Sequence, residues 1–169
     1  MSSRTIARPY ERILRSVPTD GSVESRMQSL VDLLWDSLSA TGVSWIGFYV
    51  VGEKAGEMVL AARRDKPACS PIGLHGACGQ ALLARRALVV RDVANLGAGY
   101  IACDPRDRSE VVVPVLRREG GSGELRAWGV LDADSYDTDS FGVEDARRFH
   151  EVLVKSGLSE APGIEVDVV

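Results

Sequence analysis

Histidine and cysteine are scarce, two and three residues in a chain of 169, and that scarcity removes several chemistries at once. Cys69, Cys78 and Cys103 stand far apart, and His75 and His150 complete no zinc-like spacing with them, so no metal site is expected. An odd cysteine count also argues against a structural disulfide framework. Long hydrophobic runs are missing: the longest, such as VVVPVL, fall far short of a bilayer span, and no membrane segment is expected. The opening MSSRTIARPYERILRSVP carries arginines but lacks the apolar centre of a secretory signal, so a cytoplasmic location is expected. Positive charge is not in excess. A net charge of −4, with no basic stripe interleaved with aromatics, disfavours nucleic acid as a partner.

What remains is an ordinary soluble composition, 45% hydrophobic and 26% charged, long enough to bury one core without staples. Val23, Met27, Leu30, Val31, Leu34 and Leu38 recur at three- and four-residue steps, which predicts a helix capped by Ser22 or Asp20. WIGFYVV and MVLAAR, joined by the turn GEKAGE, predict a hairpin. A Pro- and Gly-rich loop follows, then a two-turn helix in ACGQALLARR and a strand in ALVVRDV. The run Glu110 to Leu116 and the segment RAWGVLDAD predict a second hairpin around a Gly-rich tip. Helical spacing returns from Ser140 to Leu153 behind a capping pattern.

Strands that meet through hairpins, with helices toward the chain ends, predict an α+β domain on an antiparallel sheet, its long loops covering a ligand pocket. The expected organisation is an N-terminal segment 1–21, one domain over 22–155, and a peripheral tail 156–169.

Five blocks carry chemistry: WIGFY (45–49), ACSPIGLHGACGQA (68–81), VRDV (90–93), YIACDPRDRSEVVVPV (100–115) and GVLDADS (129–135). Together they resemble the free methionine-(R)-sulfoxide reductases, a catalytic branch of the GAF-domain fold, from about Val23 to Leu153. The resemblance implies a GAF-like sheet and reduction of free L-methionine (R)-S-oxide to L-methionine. No cofactor is implied, and thioredoxin is the external reductant. A thiolate attacks the sulfoxide sulfur, a sulfenic acid forms, and a second thiol captures it as a disulfide. By resemblance Cys103 is the attacking thiol, Cys69 its principal resolving partner and Cys78 an auxiliary thiol. Homodimers are common for the fold, which makes one possible here.

Free methionine sulfoxide carries an ammonium that a residue within a protein lacks, so a selective pocket should contain carboxylates left unpaired without it. Glu110, Asp132 and Asp134 match the family's acidic positions. Strand alternation puts Asp132 and Asp134 on one face, with Leu131 and Ala133 on the other. Glu110 could also lend a proton to the departing oxygen. Trp45 and Tyr49, an even step apart, share a face with Gly47 between them, and in the family these aromatics wall the pocket around the sulfoxide methyl. The family commonly has histidine at the position of Tyr100, where a phenol can still donate a hydrogen bond. The loop from Cys69 to Cys78 is one residue short, which bears on where Cys69 points. Competing readings are a non-catalytic GAF module binding a small molecule and a thiol redox sensor whose disulfide is itself the signal.

Overall fold

The computed structural model describes residues 6–98, 100 and 102–169. Two β-rich hairpins form its centre. β1 (Val43–Val51) pairs with β2 (Glu57–Arg64), and β5 (Ser109–Arg118) pairs with β6 (Leu125–Ser135) around a tip where Gly121 and Gly123 take positive φ. β6 also pairs with β1, so the hairpins join into one sheet. β3 (Ile72–Gly73) extends one edge, and β4 (Ala87–Val90) and β7 (Val166–Val168) extend the other, in the order β3-β2-β1-β6-β5-β4-β7. Every pairing is antiparallel except β4 with β7.

Alternation along the central strands divides the sheet into two chemically different faces. Ile46, Phe48, Val111, Val113, Leu131 and Ala133 point to one side, fully buried under α2 (Val23–Leu38) and α4 (Val143–Lys155). The buried stripe of α2, Met27 to Leu38, follows the predicted spacing, and Ser22 Oγ caps the helix by accepting from the Ser25 amide at 3.1 Å. At the start of α4 the N-cap is Gly142, which has no side-chain acceptor. Capping is therefore one-sided, with the Asp145 carboxylate accepting from the Gly142 amide at 2.8 Å. The other sheet face carries Trp45, Tyr49, Val112 and Val130 and is covered by α3 (Ala77–Ala84) and loops.

Residues of both terminal segments pack into the core, and the tail expected to be peripheral is buried in part. Within segment 1–21, α1 (Tyr10–Arg15) buries Tyr10 and Ile13 in the main core. Arg8 and Tyr10 both donate to Asp145, with Arg8 Nη1 at 2.9 Å and its side chain 1% exposed. The tail 156–169 is likewise integral. Leu158 and Ala161 are buried, Ser159 Oγ accepts from the Leu116 amide at 3.0 Å, and β7 supplies backbone partners that β4 would otherwise lack. Removing Asp145 leaves Arg8 as an uncompensated buried charge. Asp145→Ala is expected to cost about 3–5 kcal/mol of unfolding free energy, measured by urea denaturation.

Candidate active site

The second sheet face ends in a cavity of about 250 Å³. Its floor follows from register: Trp45 lies opposite Asp134, and Asp134 opposite Glu110, across three adjacent strands. One pleat further along, Gly47 lies opposite Asp132, which lies opposite Val112. Three acids thus emerge on one face of two neighbouring strands and line the cavity. Glu110 and Asp132 are 4% and 5% exposed.

One wall is aromatic. The Trp45 and Tyr49 rings lie 6.1 Å apart, and both also line the cavity. Their polar ends hold a loop: Trp45 Nε1 donates to Lys66 O at 3.0 Å and Tyr49 Oη to Cys69 O at 2.7 Å. Gly47 permits this packing, because a Cβ there would meet the Trp45 indole and lie 2.7 Å from Ala62 O.

Sulfur stands at two places. Cys69 and Cys103, on loops preceding β3 and β5, are joined by a disulfide with Cα atoms 5.7 Å apart, so the short Cys69–Cys78 loop does not prevent their meeting. Cys78, in the first turn of α3, is a free buried thiol that donates to Asp132 Oδ2 at 3.4 Å. Burial, reinforced by the three acids, pushes its thiol pKa well up, so Cys78 is a hydrogen-bond donor and a poor nucleophile. Its sulfur and carboxylate oxygens of Glu110 and Asp132 all lie within 4.8 Å of one another.

Burial favours the neutral form of all three acids, so ionising them together calls for a compensating positive charge. Burial raises the pKa of all three, and mutual repulsion adds to the rise at Asp132 and Asp134. Tyr100 Oη donates to Glu110 Oε2 at 3.1 Å, which favours the ionised form there without cancelling burial. Asp132 Oδ1 is buried with no hydrogen-bond partner among the described residues. An unmatched buried carboxylate oxygen facing a cavity is costly unless a ligand supplies the donor.

Some charged groups of the site escape sequence reading, Asp107 and Lys66 among them. Asp107 lines the cavity, buried, accepting from Ser44 Oγ at 3.3 Å, with its pKa pushed up to about 6 by burial and by Asp104. Lys66 lines the same cavity and donates to Ser44 O at 2.8 Å. Both sit in charged loops without periodicity, and in sequence such charges read as solvated. Nothing in the residue pattern marks them.

A sheet with helices packed on one face and a loop-walled cavity on the other defines the GAF class. A solved GAF domain matches it with a TM-score of 0.75 at 27% identity, over 95% of this chain and 93% of that one. No family model matches the chain. It is 32% identical over 143 residues to the free methionine-R-sulfoxide reductase of Saccharomyces cerevisiae, covering 81% of this chain and 76% of that protein. The X-ray structure of the free methionine-R-sulfoxide reductase from Neisseria meningitidis, in complex with its substrate, matches with a TM-score of 0.73 at 30% identity. That match covers 88% of this chain and 84% of the other. The chain belongs to the free methionine-R-sulfoxide reductase family.

Proposed function

We propose that this protein reduces free L-methionine (R)-S-oxide to L-methionine. The observation that carries the reading is the unpartnered, buried Asp132 Oδ1 beside Glu110 and Asp134, in a cavity that also holds the aromatic pair and the Cys69–Cys103 disulfide. The acids accept the substrate ammonium, whose positive charge restores their ionised forms. The Trp45 and Tyr49 rings receive the methyl and sulfur. At about 250 Å³ the cavity suits an amino acid better than a nucleotide, being at or below the small end of ligand pockets of roughly 300–1,000 Å³.

In the reduced protein Cys103 attacks the sulfoxide sulfur as a thiolate. Oxygen passes from the substrate to Cys103, leaving methionine and a sulfenic acid. Glu110 gives the proton that eases S–O cleavage, which stays on the sulfenic hydroxyl, and Glu110 is reprotonated from solvent. The Cys69 thiol then displaces the sulfenic hydroxyl as water, forming the disulfide. A dithiol reductant reopens it with two electrons and two protons. Thioredoxin in the cytoplasm is the natural candidate, and no further cofactor is needed for the cycle.

The test is turnover with dithiothreitol on separated epimers. Free R-sulfoxide should be converted, while the S epimer and N-acetylated R-sulfoxide, which lacks the ammonium, should react about a hundredfold more slowly or worse. Equal rates on free and N-acetylated substrate would remove the proposed role of the acids.

A further inference from the structure

The two loops joined by the disulfide are also joined without it. Tyr136, immediately after the end of β6 and partly exposed, receives a cation on its ring from each loop. Lys66 Nζ lies 5.0 Å from the ring centroid, and Arg106 Cζ lies 4.7 Å from it. Both distances are within reach of cation–π attraction. Lys66 is three positions before Cys69, and Arg106 three after Cys103. The Tyr136 hydroxyl donates to Asp104 Oδ2 at 3.0 Å, and Asp104 adjoins Cys103 in the chain. Asp104 is gripped in turn by the Arg106 fork at 2.8 and 3.0 Å and by the Arg106 amide at 3.0 Å, hydrogen bonds that hold its carboxyl below the usual range. On the other side, Lys66 Nζ is tied to β1 through Ser44 O.

We propose that Tyr136 is a positioning residue that clasps the Cys69 and Cys103 loops together, keeping Cys69 within reach of Cys103 while the disulfide is open. This rests on the cycle proposed above, in which the two sulfurs must separate and meet at every turnover. Opening the covalent bond frees the segments that flank the two cysteines, while β3, α3 and β4 lie between them in the fold. Without a second tie, the conformational entropy of those two segments opposes each re-encounter. The ring face and hydroxyl of Tyr136 hold both loops at once, raising the effective concentration of one thiol at the other. Capture remains the balanced step in which Cys69–SH and Cys103–SOH give the disulfide and water.

The experiment measures the reduction potential of the Cys69–Cys103 couple, together with the lifetime of dimedone-reactive Cys103 after one turnover, in Tyr136→Leu, Tyr136→Phe and Arg106→Gln. Tyr136→Leu keeps an apolar side chain but loses the ring's attraction for cations and the hydroxyl bond to Asp104. Its disulfide should be about tenfold less stable, a potential about 30 mV higher, and its sulfenic acid should persist about tenfold longer. Methionine release in the first turnover should be unchanged. Tyr136→Phe should recover most of both quantities, and Arg106→Gln should shift both in the direction of the leucine variant. Wild-type potential and sulfenic lifetime in Tyr136→Leu would overturn the proposal, as would a phenylalanine variant no better than leucine. The potential needs no substrate, so it decides the clasp even if wild-type protein proves inactive on the free sulfoxide, a result that would refute only the proposed activity.

Discussion

Cys103→Ser is expected to abolish turnover of free methionine R-sulfoxide, by at least about 10⁴-fold, whereas Cys69→Ser should keep the first turnover and lose the rest. The asymmetry separates the attacking thiol from the resolving one. A serine hydroxyl at position 103 is too weak a nucleophile at neutral pH to attack the sulfoxide. A serine at position 69 leaves Cys103 able to take the oxygen once, after which the sulfenic acid waits for an external thiol. Rapid-quench measurement of methionine per enzyme checks both: about one equivalent from Cys69→Ser and none from Cys103→Ser. One equivalent from Cys103→Ser would transfer the attack to another sulfur. Cys78 is a poor substitute, since burial beside three acids keeps its thiol protonated.

Asp132→Asn should move activity and stability in opposite directions. Removing one charge from the proposed ammonium site is expected to lower kcat/KM about a hundred- to a thousandfold, as for a buried charge pair losing one partner. Without ligand, however, ionising Asp132 is opposed by burial and by its acidic neighbours. Because the folded-state pKa of Asp132 lies above its unfolded value, its contribution to stability is complete below about pH 4 and is lost as pH rises through the folded pKa. Asparagine has no such loss. At pH 8 the ligand-free variant should therefore be more stable than wild type by about 0.5–2 kcal/mol, with a flatter dependence of Tm on pH. Thermal unfolding between pH 4 and pH 9 measures this. A variant less stable than wild type at pH 8 would mean that Asp132 is a structural acid and that its raised pKa does not reflect an awaited cation.

The three acids stand out by resemblance to the family, and of these only the shared face of Asp132 and Asp134 can be read from a strand's strict period of two. That Glu110 lies opposite Asp134 is a matter of register between β5 and β6, which no local pattern gives. The hairpins and the buried stripe of α2 were legible because periodic burial leaves a periodic pattern. Elements too short to show a period were not. β3 and β7 are two and three residues long, and α1 is six, so each depends on tertiary partners. The Arg8–Asp145 pair spans 137 positions, and no local pattern announces it. Asp107 and Tyr136 matter through what other loops bring to them, which is a property of the fold as a whole.

The two-faced sheet has a consequence for how such a protein can change. Along β5 and β6, residues 111, 113, 131 and 133 belong to the helix-covered core, while 110, 132 and 134 belong to the cavity. Neighbours in sequence thus sit in separate environments on opposite sides of one backbone. Replacing a cavity acid leaves the opposite face's side chains packed as before, so the ligand could be exchanged one residue at a time without rebuilding the scaffold. A sheet divided in this way lets many unrelated small molecules find sites on the same architecture.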